Sequence, residues 1–239
     1  VTEAFFLIHS GLPREGPGDR ESLDWALAQA PPPPDGRILD AGCGPGADIA
    51  GLLAHAPRGE VVAIDSHAPY VARAAARHAG DPRVRVLCGD MAAPPGRYDL
   101  IWSAGAVYLL GVTEALAAWR AHLAPGGAVA FSQIAWRRAD PSAEARAFWR
   151  QYPAMCDAAG VAARVAAAGC AVVASRWLPD AAWEAYWGPL GARIAELRPG
   201  ADAALCGALD AEAAEIALWR AQGGDGGDYG YLQIVARPA

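Results

Sequence analysis

Three aspartates and a run of alternating glycines are the residues of this chain best placed to do chemistry. Gly42, Gly44 and Gly46 follow directly on Arg37-Ile38-Leu39-Asp40-Ala41 and lead to Ala47. Glycine at such a junction permits positive φ and lets a ligand lie against bare backbone. Asp48 to Ala54 reads as the opening turns of a helix, whose first N–H groups and positive dipole end would face the same space. The junction is thus expected to receive negative or carbonyl groups. Spaced as Gly42, Gly44 and Ala47, it satisfies the dinucleotide fingerprint G-x-G-x-x-A. Spaced as Leu39, Asp40, Gly42, Gly44 and Gly46, it places an acid just before the glycines. That acid suits the ammonium of a zwitterionic ligand and opposes a pyrophosphate.

Asp65 and Asp90 extend the pattern. Asp65 closes the apolar run Val61-Val62-Ala63-Ile64, where a carboxylate can accept both hydroxyls of a ribose; this alone suits a nicotinamide dinucleotide equally well. Asp90 follows Val84-Arg85-Val86-Leu87-Cys88-Gly89, where it can accept an adenine amino group, with Met91 beside it. Each could instead cap a turn or helix, but three acids at successive strand ends argue for one site.

The elements that must position them alternate regularly. Short apolar runs at 38–39, 61–65, 84–88, 99–102 and 128–134 are separated by helical stretches at 49–55, 70–78 and 113–122. Such alternation predicts parallel βαβ units and a doubly wound sheet. A further strand is expected at 171–174, and a last one at 229–236 after the turn-forming Gly223-Gly224-Asp225-Gly226-Gly227. The expected fold class is α/β: a Rossmann-like seven-stranded sheet, mostly parallel with one antiparallel strand, an N-terminal helical flap and a C-terminal helical insert. One domain over 1–239 is expected, with a cap at 1–36, a core at 37–135 and an acceptor-selecting part at 136–239 whose helical insert spans about 180–222. Residues 9–18, glycine-punctuated, read either as a surface turn or as a flap carrying His9, Arg14 and the backbone of Gly16, Pro17 and Gly18 across the site.

Composition narrows the function classes. A net charge of −6, with twenty arginines, no lysine and no basic run, argues against a protein living on nucleic-acid phosphates. Five cysteines form no C-x-x-C pair, and neither a signal peptide nor a membrane-length apolar span is read, so a cytoplasmic protein without membrane association is expected. His55, His67, His78 and His122 read as surface residues without ligand-like spacing, and no metal is expected.

In combination the motifs resemble class I S-adenosylmethionine-dependent methyltransferases. Leu39-Asp40-Ala41-Gly42-Cys43-Gly44-Pro45-Gly46 is similar to their first motif, Val62-Ala63-Ile64-Asp65 to the second and Cys88-Gly89-Asp90-Met91 to the third. Tyr98-Asp99-Leu100-Ile101-Trp102 resembles the fourth strand, and Leu123-Ala124-Pro125-Gly126-Gly127 the turn before the fifth. A second resemblance extends over nearly the whole chain, to uncharacterised bacterial small-molecule methyltransferases of the ubiquinone/menaquinone-methyltransferase-like (type 11/12) group. It rests on the Arg14 to Gly18 loop, Ile101 to Tyr108, Phe148-Trp149, Tyr152-Pro153 and Tyr229-Gly230-Tyr231. Members of that group often carry an acid where this chain has Ala104, so no mechanism is rested on a carboxylate there. The resemblance implies S-adenosylmethionine as cofactor and S-adenosylhomocysteine as product. It places Asp40, Gly42, Cys43 and Gly44 at the methionine moiety, Asp65 and Ser66 at the ribose, Asp90 and Met91 at the adenine, and Ser103, Ala104 and Gly105 at the sulfonium, with Gly16-Pro17-Gly18 over the carboxylate.

Methyl transfer is an in-line displacement that positioning alone can promote by about 7–11 kcal/mol. The expected function is methyl transfer to a small molecule. A nicotinamide-dependent oxidoreductase, or a protein that binds S-adenosylmethionine without turnover, is the alternative. His9 and Tyr108 are the candidate bases, Tyr108 equally well a packed aromatic. Tyr108, Trp136, Tyr152 and Trp187 are expected to meet the acceptor, whereas Trp183 reads as packing. A monomer or homodimer is expected.

Overall fold

A computed structural model describes residues 3–239. Seven strands form one sheet: β1 (Arg37–Ala41), β2 (Glu60–Asp65), β3 (Val84–Cys88), β4 (Tyr98–Ala104), β5 (Leu123–Trp136), β6 (Cys170–Trp177) and β7 (Tyr229–Pro238). Their spatial order is β3-β2-β1-β4-β5-β7-β6. β1 pairs in parallel with β2 and β4, whereas β7 runs antiparallel between β5 and β6. The expected late antiparallel strand is therefore present, wedged into the sheet one place from its edge.

The strands read as continuous apolar runs because both faces are covered. Leu39, Ala41, Val62 and Ile64 enter one core, and Ile38, Val61 and Ala63 the other. On the second face lie α2 (Arg20–Gln29) and α3 (Ile49–His55). Against the first lie α5 (Val112–Arg120) and α7 (Ala158–Ala167), while α4 (Ala68–Arg77) follows β2. α6 is the short helix Ala143–Phe148. β5 starts at Leu123, earlier than the expected 128, with the pairing to β4 irregular between Tyr98 and Leu100.

A third core joins α1 (Glu3–His9) to α8 (Asp180–Leu197) and α9 (Ala203–Gln222). The buried stripe of α8, Trp183, Tyr186, Trp187, Leu190 and Ile194, has helical spacing. Trp183 stacks on Trp219 of α9 with ring centroids 5.2 Å apart and meets Tyr231 of β7 edge-on at 5.2 Å. Replacing one such ring by alanine typically costs about 3–5 kcal/mol. Among the described residues no helix is long and apolar enough to cross a membrane.

Candidate functional site: a crevice at the sheet's switch point and the cavity behind it

Strand order reverses between β1 and β4, and ligands of open parallel sheets sit beyond the strand ends at that point. Gly42, just past β1, has φ +74°, and a Cβ there would collide with the Cβ of Ala106, past β4. The missing side chain thus lets the two strand ends close up. Asp65 ties the glycine loop to the next strand end: one carboxylate oxygen accepts the N–H of Gly44 at 2.9 Å, the other that of His67 at 2.8 Å.

The crevice above the glycines is acidic. Asp40, Asp48, Asp65 and Glu15 line it, with Arg14 as the guanidinium among them. Asp40 is 3% exposed. Burial, then the charges of Asp48 and Asp65, hold its carboxyl well above the usual carboxylate range, against the opposing pull of Arg14. Asp48 precedes α3 without capping it; its carboxylate instead accepts the indole N–H of Trp102 at 3.0 Å and lies 3.5 Å from Arg14. Four carboxyl groups and one guanidinium thus face the first turn of the seven-residue α3. Next to this crevice, Ser66, Asp90, Met91 and Leu110 line a shallower niche that shares Gly42 and Asp65 with it.

Arg14, Glu15 and Gly16 of the segment 10–19 line the crevice. Arg14 Nε donates to the carbonyl of Gly16 at 2.7 Å, Gly18 N–H to that of Ala182 at 2.9 Å, and Arg73 to that of Leu12 at 2.7 Å. Phe6 of α1 stacks on His67 at 3.9 Å, so His67 faces the crevice rather than being the surface residue expected.

Behind Gly105 lies a second cavity of about 680 Å³, bounded by α1, the flap, β7, α8 and α9. Gly105 (φ +68°) and Tyr108 line both spaces, and a Cβ at Gly105 would stand 3.3 Å from Tyr231. Tyr152 is held at the wall by Gln133, whose amide donates to its hydroxyl at 2.9 Å. His9 is 1% exposed, 2.8 Å from Glu15 through Nδ1 and 3.5 Å from Glu212 through Nε2. Burial alone would lower its pKa, but the two glutamates overcome that and raise it to about 9. At neutral pH His9 is therefore an imidazolium clamp and no base.

Of the residues read from sequence, Gly16, Asp40, Gly42, Cys43, Gly44, Asp65, Ser66, Ala104 and Gly105 line the crevice, with Asp90 and Met91 in the niche. Pro17, Tyr108, Tyr152 and Trp187 line the rear cavity. Three stand elsewhere. Ser103 is wholly buried, its hydroxyl donating to the Ala41 carbonyl at 2.9 Å and so stitching β4 to β1. Gly18 is anchored to α8 away from the crevice. Trp136 sits at the outer end of β5, paired with Tyr229 and bonded to Cys156, while Ile134 two residues earlier takes the cavity face. Trp183, read as packing, packs and also lines the cavity. Sequence reasoning missed Glu15, Asp48, Tyr70, Glu212 and Glu215. A signal existed for one: Leu209, Glu212, Ile216 and Trp219 share a helical stripe that is otherwise apolar.

Residues 38–127 match the model of the methyltransferase domain family. Malonyl-[acyl-carrier protein] O-methyltransferase of Enterobacter lignolyticus is 34% identical over 134 residues, which make up 55% of this chain and 51% of that protein. Trans-aconitate 2-methyltransferase of Deinococcus radiodurans is 35% identical over 105 residues, 43% of this chain and 40% of that protein. The chain thus spans about half or less of the length of these curated relatives. In fold it is similar to an S-adenosylmethionine-dependent methyltransferase from Geobacter sulfurreducens solved with S-adenosyl-L-homocysteine, at TM-score 0.83 and 19% identity, covering 100% of this chain and 99% of that one.

Proposed function

We propose that this protein transfers a methyl group from S-adenosylmethionine to a small-molecule acceptor seated in the cavity behind Gly105. The observation that carries the reading is the acidic crevice at the switch point. A pyrophosphate along Gly42 to Gly46 would meet Asp40, Asp48 and Glu15, whereas a ligand bearing an ammonium and a sulfonium is attracted by them. That charge speaks against the nicotinamide alternative. When bound, the cofactor supplies an electrophilic methyl whose leaving group is a neutral thioether.

The residues present fit such a ligand. Asp40 would meet the ammonium and Arg14 the carboxylate of its amino-acid end. Asp65, already fixed by two backbone N–H donors, would turn its remaining lone pairs to the ribose hydroxyls. Asp90 and Met91 border the niche suited to the adenine. Gly105, without a side chain, borders both the crevice and the rear cavity. Positioning carries the reaction, with residues 1–36 as cap, 37–135 as cofactor core and 136–239 as acceptor wall of one unit. Five free cysteines agree with a reducing cytoplasm, the net negative charge with a partner other than nucleic acid, and either a monomer or a homodimer satisfies the site.

The test is calorimetry with S-adenosylhomocysteine and with NADH. Micromolar binding of the first and none of the second is expected; the reverse would sink the reading. A methyl-release assay over amines, phenols, thiols and carboxylates then separates an enzyme from a protein that only binds the cofactor.

A further inference from the structure

We propose that the rear cavity takes an amine-bearing acceptor, held as its ammonium between aromatic faces and glutamates, so that the methyl is delivered to nitrogen. The inference rests on the methyl-transfer reading and names its acceptor.

Three carboxyl groups, Glu15, Glu212 and Glu215, border this cavity. Among the described residues no arginine lines it, and the chain contains no lysine. The cation present, His9, is committed to Glu15 and Glu212. With His9 charged, the walls keep at least one net negative charge. Glu212 stands in a stripe of α9 otherwise made of Leu209, Ile216 and Trp219, and it shares the single charge of His9 with Glu15.

The second observation lies mainly in the aromatic wall. Trp183 and Trp187 are each 2% exposed, both line the cavity, and the Nε1–H of each lacks a hydrogen-bond partner among the described residues, as does Glu15 Oε1. An ammonium N–H would complete the Glu15 acceptor, whereas the two indole N–H donors call for an oxygen elsewhere on the same ligand. Indole and phenol faces beside carboxylates recognise an organic ammonium. A carboxylate acceptor would meet like charge. The methyltransferase-domain match ends at residue 127, before α8 and α9.

Glu215 supplies the base an ammonium needs. Burial and the charge of Glu212 push its carboxyl up to about 7, with His9 pulling the other way. The ammonium passes one N–H proton to the Glu215 carboxylate. The freed nitrogen lone pair forms the N–C bond as the C–S bond breaks, its pair staying on sulfur. The product departs as a methylammonium and Glu215 returns its proton to water.

The test reads binding without turnover. Phenethylamine and 3-phenylpropanoate, alike in shape and opposite in charge, are titrated against the protein saturated with S-adenosylhomocysteine, following tryptophan emission. Phenethylammonium is expected to bind at least tenfold tighter, and Glu212→Gln or Glu215→Gln to cut that preference at least fivefold, with Glu215→Asp restoring part of it. Equal or tighter binding of the carboxylate, binding of neither, or a preference unmoved by both glutamine variants would overturn the proposal. The comparison on the unmodified protein stands even if a variant fails to fold. Absence of S-adenosylhomocysteine binding would defeat the cofactor reading; its binding without an ammonium preference defeats the amine assignment alone.

Discussion

Asp65 shows how one side chain serves fold and ligand together. Its oxygens hold the Gly44 and His67 N–H groups, fixing the glycine loop against the start of α4. Asp65→Ala leaves two backbone donors unpaired, at about 1–3 kcal/mol each, and removes the ribose acceptor; calorimetry should show S-adenosylhomocysteine binding weakened at least tenfold. Gly42→Ala attacks the same site by shape, forcing a Cβ onto Ala106 at positive φ, and the same measurement should show a comparable loss. Trp102→Phe removes an N–H from the Asp48 carboxylate. A hydrogen bond to a charged group contributes about 1.5–3 kcal/mol, so the melting temperature should fall and the Arg14 flap should become easier to cleave with protease. Asp40 adds a pH signature. Its carboxyl is protonated more readily than an ordinary one, and a bound cation favours the ionised form. Affinity for S-adenosylmethionine should therefore rise with pH, with protons released on binding, detectable as a dependence of calorimetric heat on buffer ionisation and abolished in Asp40→Asn.

At the scale of elements, α1, the flap and α9 are joined through His9. A histidine raised from 6.5 to about 9 stabilises the fold fully below its unfolded pKa and loses that contribution as pH climbs through about 9. The effect is at most about 3 kcal/mol. Glu215 acts in the same direction at lower pH: raised from 4.5 to about 7, its ionisation is disfavoured in the fold, so stability declines as pH rises across that interval. Melting temperature should thus fall steadily from pH 5 to 9. Glu215→Gln should flatten the acidic half of that slope and His9→Gln the alkaline half. These elements were also the least legible in sequence. Alternation of short apolar runs with helices disclosed β1 to β5, because strands buried on both faces leave little room for another reading. The glycines and strand-end aspartates disclosed the crevice because each must occupy one backbone position. Glu15 and Glu215 gave no such signal, and Glu212 only its place in an apolar stripe, since a carboxylate on a helix or loop ordinarily faces water and only the meeting of α1, the flap and α9 puts these inside. Trp136 misled for the complementary reason: an aromatic near a strand end can turn to either side, and backbone pairing with Tyr229 settled which.

For the whole molecule, the two halves of the task are divided along the chain. Residues 38–127 are the part matched by the methyltransferase domain family, while the proposed acceptor wall draws mostly on α1, α8, α9 and β7, which lie outside it. Such a division lets the wall change chemistry while the cofactor crevice stays as it is. Gly105 is the place where the halves meet, and Gly105→Ala should leave S-adenosylhomocysteine affinity within a few fold while sharply reducing methyl transfer, since its Cβ would crowd Tyr231; equal loss of both would place the two spaces apart.

The wedging of β7 between β5 and β6 carries an implication for biosynthesis. A ribosome delivers 229–238 after every other strand, and until then β6 has no neighbour to join and β5 presents bare peptide groups to solvent. The nascent polypeptide should consequently depend on chaperones late in translation, and molecules stopped before Tyr229 should aggregate instead of persisting as a smaller, cofactor-competent form.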